Sequence, residues 1–328
     1  MWELELGSAW YPQPGDVESA ARFTWHGVVR AKKPLLPFAC GETVRRAEEK
    51  DHNLVEVRLT RTVPFVTALA GKYTVHEETK GGVTARVASY GMDKPKSAAK
   101  LLGLFHGFRA FYEPYFGPFP WKEFDIVEVN SYGFGQAPPG MMRITQEAFQ
   151  SNVYSDELAQ LFSGGINERF AHEIAHSWWG YVVWPAGRRH AFLSESFAEY
   201  AAGRAIEALK SESEFKGLVN RWREQGRDGS GTASIFLAGD IVAGVNSGDW
   251  QLYQDRFRLL YGKGPTLLHL LRKELGDDAF FTVLKSFLRS FEKKQVVTTE
   301  DFAGLLGHLT KKDWTPWMEK YFYGFEKP

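Results

Sequence analysis

His172-Glu173-Ile174-Ala175-His176 concentrates more chemistry than any other stretch of this sequence, with two imidazoles and a carboxylate in five residues. Four residues advance an α-helix slightly past one turn, so both imidazoles leave one face and can reach a single ion. Glu173 stands beside them without being needed as a ligand. A carboxylate so placed can take a proton from a water that the ion has acidified, which is the chemistry of metal-assisted hydrolysis. The spacing predicts a packed helix, because Gly164-Gly165 offers a break ahead of it and Phe170, Ile174 and Trp178 recur every four residues as an apolar stripe. Two histidines one turn apart also occur as structural or exposed pairs, so the five residues alone leave the chemistry open.

A catalytic zinc usually takes three protein ligands and keeps a fourth position for water. Glu195, separated from His176 by eighteen residues, is the candidate third ligand. It lies in Phe192-Leu193-Ser194-Glu195-Ser196-Phe197-Ala198-Glu199-Tyr200, whose apolar positions fit the start of a second buried helix, where an inward carboxylate without a partner would be costly. The competing reading is an exposed glutamate at a helix start, paired with Arg188 or Arg189. A histidine-rich zinc motif of the metzincin kind needs a glycine at 179 and a histidine at 182, where this chain has Trp179 and Val182. A closed structural zinc site prefers four side-chain ligands and usually cysteines, and Cys40 is the single cysteine. That lone thiol also excludes an internal disulfide framework.

From His172 through Tyr200 the chain strongly resembles the aminopeptidase N family of gluzincin zinc metallopeptidases. The match covers the H-E-x-x-H motif, its tryptophan-containing tail, the eighteen-residue spacer and a segment of the Leu-Asn-Glu-Gly-Phe-Ala type, with Ser194 and Ser196 in place of the usual Asn and Gly. Downstream, Tyr261-Gly262-Lys263-Gly264 is similar to the family's Tyr-x-Lys-Gly signature. The resemblance implies an α+β protein, with an amino-terminal β-sheet domain over residues 1–90 and a mainly helical, thermolysin-like catalytic domain over 91–328. It implies one Zn2+ per chain on His172, His176 and Glu195, Glu173 as general base on the zinc-bound water, and Tyr261 as a donor to the oxyanion. Without the family match, a tyrosine among leucines would be read as core packing. Glu199, one turn beyond Glu195, is a candidate acceptor for the second ring nitrogen of a ligand histidine, or else a surface salt-bridge partner. The implied activity is hydrolysis of peptides with an open end preference; the alternative is a peptide-binding module that keeps zinc and has little turnover.

The chain departs from the family upstream of the metal helix. There the family carries a Gly-Ala-Met-Glu-Asn strand whose glutamate binds the substrate's amino terminus, whereas this sequence reads Gly135-Gln136-Ala137-Pro138-Pro139-Gly140-Met141-Met142. Aligned on Gly140, Ala137 occupies the glutamate's position and cannot hold an ammonium. Gly135, Gln136 and Ala137 remain candidates for binding an extended peptide through backbone. Glu128, Glu147 or an acidic residue between Gly226 and Asp249 could replace the lost carboxylate. The resemblance begins near Trp10-Tyr11-Pro12, part-way into the family's β domain, and ends around Tyr323-Gly324, without the family's carboxy-terminal helical domain. A fragment of a larger polypeptide with a more open cleft is the corresponding expectation.

These side chains must be positioned by a chain of 328 residues, 44% hydrophobic, long enough for two domains. Leu54 to Thr60 alternates as a half-buried strand, with Val55, Val57 and Leu59 on one face and Glu56, Arg58 and Thr60 opposite. Thr24–Val29, Lys72–Val75 and Val83–Val87 are further strand candidates, separated by turn signals such as Gly81-Gly82. Pro95 suits the first turn of a helix carrying Leu101, Leu102, Phe105, Phe108 and Tyr112, so the pattern changes near residue 91. One strand, Phe124 to Val129, interrupts the helical part, the stretch from Gly226 to Asp249 reads as a long loop, and packed helices follow from Leu259. Forty basic and forty acidic residues cancel, which removes a global field toward nucleic acid or an anionic membrane. No apolar run is long enough to span a membrane and the start lacks a signal-peptide pattern, so the segment as written reads as soluble with its compartment unknown.

Overall fold

The alternation around Val55 is realised in β5 (His52–Val63), where Val55, Val57 and Leu59 are buried while Arg58 and Thr60 are exposed. A one-residue slip would turn that apolar set to solvent, and this fixes the register of its neighbours. β2 (Phe23–Lys32) and β4 (Glu42–Glu48) both pair with it antiparallel. The computed structural model describes residues 1–4, 10–12, 22–131, 133–149, 166–227, 233–238 and 250–324. The contacts divide the chain into two compact units, one of residues 1–110 with 119–177 and the other of residues 111–118 with 178–328. The result is an α+β protein, with β-sheets in the amino-terminal part and mainly helices after them.

In the first unit a second small sheet joins β1 (Trp2–Leu4), β3 (Leu36–Ala39) and β6 (Ala68–Gly71). The largest sheet has five strands in the order β10-β11-β9-β8-β7: β7 (Tyr73–Lys80), β8 (Val83–Tyr90), β9 (Glu123–Val129), β10 (Gly135–Gln136) and β11 (Met141–Thr145). β8, β9 and β11 run parallel, and a parallel neighbour cannot be reached by a hairpin. The crossover from β8 to β9 is made by α1 (Pro95–Phe116), whose first residue is the proline expected at a helix start. Leu101, Phe105, Phe108 and Tyr112 of α1 are each at most 1% exposed, the three- and four-residue recurrence of a helix face pressed into a core. Phe105 stacks on Phe124 of β9 with ring centres 5.0 Å apart. Charge is buried here too, since Arg86 bonds both Glu123 and Asp125 while Arg46 reaches Asp125 at 3.2 Å.

The second unit is built round α3 (Phe192–Leu209), which follows α2 (Ile166–Ala175) in the chain and is enclosed on most of its surface. It packs on α4 (Glu212–Arg227) and α6 (Gly264–Leu275), and the described residues of the unit also form α5 (Trp250–Phe257), α7 (Asp277–Phe291), α8 (Thr299–Thr310) and the short α9 (Thr315–Met318). Gly203 allows the α3 to α4 approach, because a Cβ there would lie 2.4 Å from the Trp222 ring. The loop expected from Gly226 to Asp249 falls mostly outside the described residues, and Gly226 and Arg227 still belong to α4. Among the described residues no helix is long and apolar enough to cross a membrane.

Cys40 is fully buried and its sulfur accepts the Thr67 N–H at 3.1 Å. Burial pushes its thiol up to about 12 despite that bond. Because the thiolate is the reactive form, the folded protein should resist alkylation by iodoacetamide at mildly alkaline pH, and mass spectrometry should find one label per chain only after denaturation.

Candidate metal centre

α2 carries the H-E-x-x-H segment to its very end: the helix closes at Ala175, and His176 sits in the turn that follows. The His176 N–H still reaches the His172 carbonyl at 3.2 Å, so the helical spacing of the two side chains survives the helix terminus. Their Nε2 atoms are 3.0 Å apart, with the ring planes at 86°. Two imidazole nitrogens bound tetrahedrally about 2.0–2.1 Å from one zinc lie about 3.3 Å apart, so this pair needs only a small adjustment to share an ion. Phe170 and Ile174, both 0% exposed, hold the opposite face of the helix. Trp178, expected to extend that stripe, lies beyond the helix end, where its indole N–H donates to the Gly117 carbonyl.

Two contacts fix this helix against the five-stranded sheet. The Arg169 guanidinium, one turn before Glu173, bonds Glu147 Oε1 at 2.6 Å, and both side chains are about 95% buried. The same oxygen accepts from Thr145 Oγ1 at 2.5 Å and from the Gly133 N–H at 2.9 Å. Burial alone would raise the Glu147 pKa, yet the hydrogen bonds from Thr145, the backbone and Arg169 outweigh it and hold the carboxyl below its ordinary value. The second contact is at Gly135, where an added Cβ would fall 2.7 Å from Glu173 Oε1. A side chain at 135 would therefore have to displace the Glu173 carboxylate.

Glu195 occupies the first turn of α3, where the partial positive charge of a helix start favours an ionised carboxylate. Its Oε2 accepts the Tyr261 hydroxyl at 2.5 Å. Tyr261 projects from a π-helical turn, Arg258–Lys263, and its ring stacks on Phe257. The turn is tied down on both sides. The Ser196 hydroxyl donates to the Leu260 carbonyl at 2.6 Å, and the fully buried Lys263 ammonium donates to the carbonyls of Ala233 and Gly324. Burial pushes the Lys263 pKa down to about 8. Ser194 in turn donates to the Trp179 carbonyl at 2.7 Å. The two serines that replace the usual Asn and Gly thus serve as ties between elements, a role no local pattern announces. Glu199 is a buried group and not a surface one: it accepts the Trp222 indole N–H at 2.9 Å, with Arg221 3.9 Å away.

His172 and His176 belong to the first unit and Glu195 to the second, and these three are the candidate ligands of one metal ion. Two imidazoles and one carboxylate are a donor set that suits zinc and leaves a coordination position open. Of the peptide-edge candidates, Gly135 and Gln136 form β10, which among the described residues is the outer strand of its sheet and pairs with β11 alone. The Gln136 side chain accepts from Arg143 at 2.6 Å, and Ala137 follows directly after the strand. Of the carboxylates considered as replacements, Glu128 is engaged by Lys94 at 2.5 Å and Glu147 by Arg169, while the acidic residues between Gly226 and Asp249 lie outside the described residues.

The sequence profile of the Peptidase family M1 domain matches residues 104–321. Aminopeptidase N of Lactococcus lactis subsp. lactis is 34% identical over 160 residues, covering 46% of this chain and 18% of that protein. Endoplasmic reticulum aminopeptidase 1 of Rattus norvegicus is 24% identical over 294 residues, covering 87% of this chain and 30% of the relative. The chain thus matches less than a third of the length of these curated relatives. A crystal structure of an M1 zinc metallopeptidase mutant from Deinococcus radiodurans, bound to a Tyr-Ser-Ala substrate, has the same fold with a TM-score of 0.66 at 17% identity, over 94% of this chain and 65% of that one.

Arg169→Met would strand the buried Glu147 carboxylate and should cost about 3–5 kcal/mol in urea unfolding, whereas Arg169→Met with Glu147→Met should recover most of the loss. Because the Glu147 pKa is depressed on folding, its contribution should be complete above the ordinary value of 4.5 and fade as the pH falls through the lower folded value.

Proposed function

The chain belongs to peptidase family M1, and on that premise we propose that it is a zinc-dependent peptidase whose metal is held by His172, His176 and Glu195. The observation that carries this reading is the pair of Nε2 atoms 3.0 Å apart on one helical turn, with Glu173 between them in sequence and against the backbone of an edge strand. Zinc, when bound there, supplies a Lewis acid that acidifies water and polarises a carbonyl.

The remaining steps belong to the chain's own groups. An extended peptide adds to the outer edge of β10 through backbone hydrogen bonds at Gly135 and Gln136, in the manner of an added strand. Glu173, 6% exposed and so largely shielded from water, takes the proton of the water as its oxygen adds to the carbonyl carbon, and returns it to the amide nitrogen as the C–N bond breaks and the amine leaves. The Tyr261 hydroxyl, which donates to Glu195 in the resting arrangement, turns its hydrogen to the carbonyl oxygen as negative charge develops on it. The carboxylates Glu128 and Glu147 are engaged by Lys94 and Arg169, and Ala137 carries no charge, so this edge binds peptide main chain without a dedicated anchor at 137 for a terminal ammonium. Peptides longer than those a terminal-amine site would accept are substrates on this reading.

Glu173→Gln should retain zinc by elemental analysis while turnover of a quenched internal peptide falls by about 10²–10⁴. Equal turnover in the two proteins would instead leave a peptide-binding module that keeps zinc. His172→Phe and His176→Phe should each lose the metal itself. Product mapping on matched peptides with free and acetylated amino termini should find both cleaved; cleavage of the free peptides alone would assign an amine anchor to another group.

A further inference from the structure

At the far end of α3 from Glu195 the helical unit holds a cavity of about 530 Å³ between α3, α4, α6 and the start of α7. Glu207, which lines it, lies twelve residues beyond Glu195, about 18 Å along the helix. The cavity is therefore separate from the metal ligand of the same helix.

His269 of α6 lines the cavity and is 7% exposed. The Tyr200 hydroxyl lies 3.2 Å from its Nδ1, within reach to donate its hydrogen to that nitrogen. The ring then carries its own hydrogen on Nε2, for which the described residues provide no acceptor. Burial, followed by the neighbouring Lys273, Arg272, Arg223 and Arg204, drives the ring's pKa down to about 4, so it is a neutral N–H donor at ordinary pH.

The charges round the cavity do not cancel. Lys216, Arg223, Arg272 and Lys273 face Glu207, Glu212 and Asp277, four cations against three carboxylates. Lys216 pairs with Glu212 at 2.8 Å, and Arg272 bonds Asp277 at 2.7 Å and Glu207 at 3.5 Å. Arg223, which is half-buried, and the exposed Lys273 have no carboxylate partner among the described residues. Phe215 and Val219, one turn apart on α4, give the same cavity an apolar wall. Arg204 also pairs with Glu207 and Asp277, so Arg223 and Lys273 are the cations left over, and of these only Arg223 is withdrawn from solvent. One half-buried cation and one N–H donor beside an apolar wall suit a molecule that is anionic at one end only.

We propose that this cavity binds a small monocarboxylate with an apolar body, its carboxylate received by the His269 Nε2–H and the Arg223 guanidinium and its body lying on Phe215 and Val219. The site depends on no metal and on none of the residues assigned to peptide hydrolysis.

Isothermal titration of the protein as purified with 3-phenylpropanoate, 3-phenylpropanamide and 3-phenylpropyl phosphate tests it. The carboxylate should bind saturably, at least about tenfold more tightly than the uncharged amide and no more weakly than the phosphate. Arg223→Gln should weaken the carboxylate about tenfold and leave the amide unchanged, and His269→Phe should do the same where it folds. Since Arg223 is half-buried at the cavity's edge, its variant keeps the test decisive whatever happens to His269→Phe. Absence of saturable carboxylate binding, equal binding of carboxylate and amide, tighter binding of the phosphate, or full affinity in Arg223→Gln would overturn the proposal; the last result would assign any carboxylate binding to another site, the metal centre included.

Discussion

Two imidazole nitrogens held 3.0 Å apart can face one another only with a proton or a cation between them, because their lone pairs repel. The helix repeat sets that separation, and everything else at the centre follows from keeping the repeat intact up to the final turn. An unsupported helix end frays, and His176 sits just past this one. The buried Arg169 to Glu147 pair anchors the middle of the helix to the sheet, while Phe170 and Ile174 fill the space behind it. A buried ion pair of this kind is weak as a source of net stability, since desolvation consumes most of the attraction. Its geometry is what it contributes: an ion pair is satisfied at one helix rotation, whereas an apolar contact tolerates several.

The parts legible in the sequence were those with a short physical period. The alternation at Val55, the proline at the start of α1 and the four-residue spacing of the histidines each depend on neighbours within a turn or a strand, and each was read with the right element. The stripe through Trp178 misled, because periodicity does not report where a helix stops; the chain turns after Ala175 and the indole finds the Gly117 carbonyl instead. Lys263 and the two serines of α3 were opaque for a different reason. Ser196 meets Leu260 across 64 residues and Lys263 meets Gly324 across 61, and no local rule reports a partner at that distance. The parallel order of β8, β9 and β11 was equally hidden, since it is set by a helical crossover and not by the strands themselves.

Glu199 illustrates how burial changes what a carboxylate must find as a partner. One turn past Glu195 it could have been an exposed partner for an arginine, and on an exposed helix that pairing contributes little. α3 is enclosed, however, so its carboxylate must be satisfied from within, and the Trp222 indole N–H does this. The same enclosure explains why Gly203 stands where α4 crosses: the Trp222 ring that reaches Glu199 leaves no space for a side chain beside it. One aromatic residue thus couples a hydrogen bond to a helix contact.

The neighbourhood of β10 shows the opposite economy, because its ionic groups are already committed. Arg143 bonds Gln136 and Glu3, Glu147 is saturated at one oxygen by three donors, and Glu128 is held by Lys94 and the Tyr90 N–H. A group so committed would have to give up a buried pair to meet a ligand's charge, which costs several kcal/mol (~3–5) before any new contact forms. What the strand can offer without that cost is an edge that carries no strand among the described residues, and the space left by Gly135 beside Glu173. Backbone hydrogen bonds are indifferent to side-chain identity and to the distance from a chain end. An alanine at 137 is consistent with that arrangement, since a lone carboxylate there would add a charge to an edge whose cations are all in use.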